Sequence, residues 1–142
     1  MKVVFGIDLG TTNSAISYFD VQKQKIEEIT IDTDHFMPSV VHYPTDSSQP
    51  IQCGIAATSV TKNIQNTIQE SKRYIGRKVS QEELLLDVSA TTNIILSDEG
   101  EVLYQITQDK TTKQISPVEV ASEILKYLKT AALKRLGFGC DP

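Results

Sequence analysis

The chain has 142 residues, of which 39% are hydrophobic and 23% charged, and its formal net charge is −4. This length fits one ordinary domain, and the composition is typical of a globular protein. No cluster of Lys and Arg forms a basic arm, which argues against nucleic acid as a partner. No stretch approaches the roughly 20 apolar residues of a membrane-spanning helix. We therefore expect a cytoplasmic protein that binds neither nucleic acid nor membrane.

An apolar run from Val3 to Ile7 opens the sequence and ends at Asp8. Such a run predicts a strand that is buried on both faces and carries its polar residue at the carboxyl end. Small polar residues at 10–13 predict a turn, and the alternation from Ser14 to Phe19 predicts a second strand. A third strand is expected over Ile26 to Ile31, so this region should form consecutive hairpins and not a βαβ unit.

The middle of the chain contains shorter signals. A polar turn is expected from Asp32 to Pro38, followed by a β-branched strand from Ser39 to Tyr43. The Ala and Val content from Gly54 to Asn63 favours a short helix. Two later apolar runs, Asn93 to Leu96 and Val102 to Ile106, predict a hairpin with a longer loop.

Three helix starts can be read from capping signals. Asn66 predicts the N-cap of a helix that runs to Tyr74 and stops at Gly76. The segment from Ser80 to Glu83 has the pattern of a capping box. The segment from Ser116 to Glu119 is the strongest signal, with an N-cap Ser, Pro at the first helical position and Glu at the third. The apolar stripe predicted for this last helix consists of Ala121, Leu125, Leu128, Ala132 and Leu136.

The segment from Asp8 to Asn13 is the best candidate for a ligand site. A carboxylate at a strand end can hold a hard divalent cation, directly or through water. Gly10 lets the backbone bend sharply and approach a ligand closely. Thr11, Thr12 and Asn13 bring backbone and side-chain donors to an anion. Together these groups suit a polyphosphate with bound Mg²⁺.

Taken alone, the same segment also fits a plain hairpin turn with a capping Asp. It is not a Walker loop, because no Gly-Lys-Ser/Thr follows, and it is not a Rossmann fingerprint, because no helix follows the glycine.

The string from Gly6 to Ser14 closely resembles the first phosphate motif of the 70-kilodalton heat-shock chaperones, the DnaK-type family. Pro38-Ser39-Val40-Val41 resembles a strand of that family, and the segment from Ser71 to Arg77 is similar to the stretch around its catalytic lysine. Ser116 to Glu119 and Leu136-Gly137 match its long helix. The resemblance covers essentially the whole chain, although actins and sugar kinases share the first motif more loosely.

Two positions depart from the pattern of the family. Met37 stands where a Thr usually precedes Pro-Ser, and Asn13 stands where many members place an aromatic residue. The first departure concerns the outer edge of the domain and leaves the phosphate loop unaffected.

The resemblance implies an α/β fold, namely lobe I of an actin-like (ribonuclease H-like) ATPase, with a mixed sheet, a packed helix and an inserted α+β subdomain. Residues 1–37 and 114–142 would form the core subdomain, and residues 38–113 the smaller inserted one. The chain would then be an amino-terminal fragment without the second lobe and the peptide-binding domain, and by itself inactive.

The resemblance also implies roles for individual residues. Lys72 would reach the γ-phosphate of ATP and orient the attacking water, acting in catalysis together with Thr11 and Asp8. Asp8 would hold Mg²⁺, mostly through water, and K⁺ is a further candidate ion. Arg73 is expected to form only a structural or peripheral salt bridge. The residues expected to bind the phosphates of ATP or ADP are Gly10, Thr11, Thr12, Asn13 and Lys72.

In the intact protein, ATP hydrolysis would control the binding and release of unfolded client peptides, with a J-domain co-chaperone and a nucleotide-exchange factor as partners. One alternative is a related actin-like or sugar-kinase-type ATPase, although no sugar-binding base is visible. Another is a chaperone relative that does not hydrolyse ATP. The presence of both Asp8 and Lys72 argues against that second alternative.

Overall fold

The computed structural model describes residues 3–86 and 92–137. In chain order, the elements of these residues are β1 (Phe5–Leu9), β2 (Asn13–Asp20), β3 (Lys25–Glu28), β4 (Met37–Pro38), β5 (Val40–His42), β6 (Gln52–Cys53), α1 (Ile55–Thr58), β7 (Thr67–Gln69), α2 (Gln81–Leu85), β8 (Asn93–Leu96), β9 (Val102–Gln108), β10 (Thr111–Ile115) and α3 (Pro117–Arg135). Short 3₁₀ helices at Ile64–Asn66 and Ser71–Tyr74 flank β7.

The strands form three antiparallel sheets. β1, β2 and β3 follow one another in the first sheet, where β4 also pairs with β2, and the other two sheets have the orders β6-β5-β7 and β10-β9-β8. The prediction of a mixed sheet is wrong for the described residues, since every pair among them is antiparallel. A parallel pair needs a long crossover between its strands, whereas β1–β2–β3 and β8–β9–β10 are consecutive hairpins. β6 and β10 were not predicted from the sequence.

The first strand is less buried than its apolar sequence predicts. Gly6, Ile7 and Asp8 are exposed, so the prediction of a strand buried on both faces is wrong. Among the described strands β1 pairs only with β2 and therefore lies at the sheet edge. An apolar run cannot distinguish such an edge strand from a central one, because the covering elements are remote in sequence.

One hydrophobic cluster joins the three sheets to α3. Ile16 of the first sheet, Val41 of the second and Ile106 of the third are all in it, each at most 2% exposed. Helix α3 contributes Val120, Ala121, Ile124, Leu128 and Ala132 to the buried face. Leu125, predicted to lie on that face, is 37% exposed. The buried ridge instead follows positions 120, 124, 128 and 132. Leu125 comes one residue after this ridge and is therefore rotated about 100° away from it around the helix axis.

Both predicted capping boxes are confirmed. At the start of α3, the Glu119 N–H donates to Ser116 Oγ at 3.2 Å, and the Ser116 N–H donates to Glu119 Oε2 at 2.8 Å. Ser80 and Glu83 form the same reciprocal pair before α2. Because each pair satisfies two backbone donors locally, these starts depend little on the rest of the fold. No helix among residues 3–86 and 92–137 is long and apolar enough to cross a bilayer.

The helix predicted from Asn66 to Tyr74 is wrong. Residues Thr67–Gln69 form strand β7, whose Ile68 pairs with Val41 and is 1% exposed. Asn66 ends the 3₁₀ helix Ile64–Asn66, and after it the helical part of the predicted range is the 3₁₀ turn Ser71–Tyr74, which Glu70 precedes with a left-handed φ of 56°. Burial of Ile68 in the second sheet thus outweighs the local capping signal.

Candidate phosphate-binding site

The loop between β1 and β2 is closed by the pair Leu9 and Ser14. Its first residue must be glycine for a steric reason. A Cβ on Gly10 would lie 2.1 Å from the backbone oxygen of Asn13, which no side chain can occupy without moving the backbone. The sharp bend predicted at Gly10 is therefore confirmed and has a steric cause within the loop, while the close approach to a ligand stays a prediction.

Ser39 holds this loop from behind. Its backbone N–H donates to Thr12 O at 2.8 Å, and its hydroxyl donates to Gly10 O at 2.8 Å. The hydroxyls of Ser39 and Ser14 are 2.7 Å apart, and both residues are buried, at 4% and 1% exposure. The carbonyl groups on the inner side of the loop are thus bonded to the protein.

The outer side of the loop carries unpaired donors. Within the described part of the chain, the backbone N–H groups of Thr11 and Thr12 donate to no oxygen, and neither do the side chains of Thr11, Thr12 and Asn13. Thr12 and Asn13 are exposed, and Thr11 is half-buried. Several unpaired donors on one short loop create a local excess of positive partial charge, which favours binding of an anion such as phosphate.

Lys72 lies beside this loop, although 60 positions separate it from Thr12 in the sequence. It belongs to the 3₁₀ helix Ser71–Tyr74, which packs against α3. A cavity of about 10 Å³ separates the two segments, and its lining includes Gly10, Thr11, Ser39 and Lys72. The cavity is far smaller than the roughly 300–1,000 Å³ of a ligand pocket, so a nucleotide would lie on the open surface above it.

The charged groups around Lys72 differ in their pairing. Lys72 is exposed and forms no ion pair with any residue in 3–86 or 92–137. Its neighbour Arg73 has Nη2 3.4 Å from Glu70 Oε2, which confirms the structural salt bridge predicted for it. Among the described residues, the Lys72 ammonium is therefore available to an anion on the loop.

Asp8 lies on the other side of the loop. It pairs with Ala15 in the β1–β2 hairpin, whereas Leu9, which lines the cavity, pairs with Ser14. Because side chains alternate along a strand, Asp8 and Leu9 point to opposite faces of the sheet. Asp8 is exposed, and its carboxylate contacts no cation among the described side chains. The Asp8 side chain thus lies on the face of the hairpin opposite the one that lines the cavity.

The donor set around Asp8 fits a hydrated magnesium ion. Residues 3–86 and 92–137 contain no group of three or more His, Cys, Asp or Glu side chains that could enclose a metal. Mg²⁺ commonly keeps several waters and uses one or two carboxylates together with substrate phosphates. A single exposed carboxylate next to a phosphate loop is consistent with that type of binding.

A larger cavity, of about 560 Å³, lies at the far end of α3 and includes Asp32, Tyr127 and Arg135 in its lining. The Tyr127 hydroxyl donates to Asp32 Oδ1 at 2.9 Å. Burial, and then this hydrogen bond to Asp32, raise the pKa of Tyr127 to about 12. None of the predicted site residues lines this cavity, so size alone does not identify the functional surface of this chain.

The sequence did not identify Ser14 and Ser39 as site residues. Pro38-Ser39-Val40-Val41 predicted a strand only, and nothing in the local pattern indicates that Ser39 reaches back to Gly10. The pairing of Asn13 with Pro38 creates this contact across 29 positions.

Comparison with known proteins identifies the family of this chain. Residues 4–139 match the family model described as Hsp70 protein. The chain is also 32% identical over 137 residues to the chaperone protein DnaK of Stenotrophomonas maltophilia (strain R551-3), covering 96% of this chain and 21% of that protein. The chain thus spans about a fifth of the length of this relative.

Proposed function

The chain belongs to the Hsp70 family, and we propose that it supplies one side of the ATP site of a chaperone ATPase. The observation that carries the proposal is the meeting of two remote segments. The loop with unpaired donors and the unpaired Lys72 line the same small cavity. A plain hairpin turn would need neither the second segment nor the unpaired donors.

In this proposal the loop and the lysine act on different parts of the polyphosphate. Gly10, Thr11, Thr12 and Asn13 bind the β- and γ-phosphates of ATP or ADP. Lys72 contacts the γ-phosphate and helps to orient the attacking water. Charge spreads over the transferring phosphoryl oxygens in the transition state, and a fixed cation beside them lowers its free energy.

Asp8 is the proposed magnesium residue. It would hold Mg²⁺ largely through water on the side of the loop opposite Lys72. The bound ion would neutralise charge on the phosphates, and K⁺ is a second candidate ion. Asp8 keeps the ion next to the loop, while Thr11 and Lys72 position the reacting phosphate.

The remainder of the nucleotide site would come from outside this chain. We assign residues 1–37 and 114–142 to a core subdomain of lobe I in an actin-like ATPase, and residues 38–113 to an inserted subdomain. ATP hydrolysis in the intact cytoplasmic protein would switch a peptide-binding domain between states of different affinity for unfolded clients. A J-domain co-chaperone and a nucleotide-exchange factor would regulate that cycle.

Two other functions use the same loop. An actin-like or sugar-kinase-type ATPase would bind the phosphates in the same way, but the Hsp70 match over residues 4–139 favours the chaperone. A chaperone relative without hydrolysis would not need an unpaired cation beside the loop, so the unpaired Lys72 favours an active enzyme.

Isothermal titration with Mg-ATP tests the proposal. We expect the full product of the gene to bind Mg-ATP, and we expect Thr12→Ala to weaken this binding about tenfold, since hydrogen bonds to charged groups are worth about 1.5–3 kcal/mol. The matched control is Thr61→Ala, which removes another exposed threonine side chain far from the loop in sequence. Equal affinity in all three proteins would contradict the proposal.

The isolated 142-residue chain provides a second measurement. Because the cavity next to Lys72 is much smaller than a nucleotide, we expect the chain alone to bind Mg-ATP weakly and to hydrolyse none at a useful rate. Tight binding by the isolated chain would show that the site is complete without a second lobe.

A further inference from the structure

Ser39 makes two hydrogen bonds to the phosphate loop, one from its backbone and one from its side chain. The backbone bond to Thr12 O lies one residue beyond the pairing between β2 and β4 and does not depend on the side chain. The hydroxyl bond to Gly10 O at 2.8 Å does depend on it. Any specific role of the side chain must therefore act through the carbonyl of Gly10.

That carbonyl fixes the direction of a phosphate donor. Gly10 C=O and Thr11 N–H belong to one planar trans peptide unit, in which the two groups point in opposite directions. Because Ser39 binds the carbonyl oxygen on the buried side, the Thr11 N–H is directed to the opposite side. It has no partner among the described residues and is available to an anion.

Counting protons also shows which serine donates the hydrogen bond between Ser14 and Ser39. A hydroxyl has one proton, and that of Ser39 is donated to Gly10 O. In the 2.7 Å contact between Ser14 and Ser39, Ser14 must therefore be the donor. The chain of hydrogen bonds runs from Ser14 to Ser39 to Gly10, and a polarised chain of this kind strengthens its last bond.

We propose that Ser39 is a positioning residue for phosphate recognition. By holding the Gly10 carbonyl inward, its hydroxyl keeps the Thr11 N–H directed at the phosphate and keeps a carbonyl oxygen from facing it. Ser39 does not touch the nucleotide and acts only through this peptide unit. The inference rests on the proposed ATP site.

Loss of the hydroxyl has two consequences. In Ser39→Ala the Gly10 carbonyl loses its inward partner, so the Gly10–Thr11 peptide unit can rotate. The rotated unit presents an oxygen in place of an N–H to the bound anion, which repels phosphate but has no effect on an uncharged ligand.

Ligand titrations separate this role from general destabilisation. We would titrate the full product of the gene with Mg-ATP, Mg-ADP and adenosine. In Ser39→Ala we expect the affinities for ATP and ADP to fall about tenfold, and the affinity for adenosine to stay within about twofold. Ser14→Ala leaves the bond from Ser39 to Gly10 in place and should cause a smaller loss.

The matched control is Thr92→Val, which removes another buried hydroxyl, one that donates to the Thr67 carbonyl at 2.7 Å. It should leave all three affinities unchanged. Equal losses for adenosine and ATP in Ser39→Ala, or the same pattern in Thr92→Val, would overturn the positioning role.

A second measurement does not depend on nucleotide binding. ¹⁵N order parameters report fast backbone motion, and those of Thr11 and Thr12 should fall in Ser39→Ala but not in Thr92→Val. Unchanged order parameters would overturn the inference even if ATP binds. If the wild-type protein binds no nucleotide, the proposed function fails, while lower order parameters would still support the control of the loop by Ser39.

Discussion

The phosphate loop and the junction around Asn66 are both built from polar groups, but these groups are used in opposite ways. Asn66 is fully buried, and its side chain donates to Tyr43 O at 2.9 Å and to Thr107 O at 2.8 Å. Its Oδ1 accepts from the Thr107 N–H at 3.0 Å. Thr11 is half-buried and Thr12 exposed, and their backbone donors have no partner among the described residues.

This difference separates a structural polar group from a candidate binding group. The Asn66 amide joins the end of β5 to β9 and has no capacity left for a ligand. The loop satisfies its inner carbonyls through Ser39 and leaves its outer donors unpaired. A buried polar group must be bonded to the protein, whereas an exposed donor held in a fixed position costs little and can bind an anion.

Lys72→Ala should produce the largest effect on activity. We expect kcat for ATP hydrolysis in the full gene product to fall about 10²- to 10³-fold, because a cation beside the transferring phosphoryl group is lost. Nucleotide binding should persist. The matched control is Arg73→Ala, which removes an adjacent cation already paired with Glu70. A normal single-turnover rate in the Lys72 variant would refute its catalytic role.

Asn66→Ala should have the largest effect on stability. It removes three hydrogen bonds that a fully buried side chain makes to the backbone of Tyr43 and Thr107, so we expect the free energy of unfolding to fall by about 3 kcal/mol. Urea denaturation measures this change. Asn93→Ala is the matched control, because Asn93 is exposed and should cost less than about 0.5 kcal/mol. Similar losses of unfolding free energy in Asn66→Ala and Asn93→Ala would contradict the structural role of the Asn66 side chain.

Gly10→Ala tests the steric requirement of the loop. The new Cβ would lie 2.1 Å from the Asn13 backbone oxygen, so the loop must shift. We expect a loss of about 2 kcal/mol in the free energy of unfolding, together with weaker binding of Mg-ATP. In Gly6→Ala the nearest atom is the Ser17 hydroxyl oxygen at 3.2 Å, which can move, so this control should cost less. If Gly10→Ala bound Mg-ATP as tightly as the wild type, the steric requirement for glycine at this position of the loop would be contradicted.

His42 gives the smallest expected effect, which depends on pH. Burial lowers the pKa of His42 from 6.5, so the folded state favours the neutral ring. The unfolded chain binds the proton more readily, and stability is therefore lost as pH falls from about 6.5 through the lowered pKa. In urea denaturation between pH 7.5 and 5.5, the free energy of unfolding should change less with pH in His42→Gln than in the wild type. His35→Gln is the matched exposed control. The same pH dependence of stability in His42→Gln and in the wild type would contradict this prediction.

The sequence predicted the features that depend on neighbouring residues. Ser116 and Glu119 satisfy each other's backbone donors within one turn, and the small polar residues after β1 close a hairpin within four positions. The first three strands and the loop were predicted for the same reason. The sequence also indicated, through the resemblance, that Lys72 belongs with this loop.

The tertiary structure decided where each polar group finds its partner. Asn66 has the sequence context of a helix cap, yet pairing of β7 with β5 buries it against β9. Ser39 has the context of an ordinary strand residue, yet pairing of β4 with β2 places its hydroxyl on the Gly10 carbonyl. Local propensities differ by about 1 kcal/mol or less, so burial and strand pairing between remote segments override them. The sequence alone therefore predicted a loop suited to phosphate, while the fold determined what holds this loop in shape and which of its donors have no partner among the described residues.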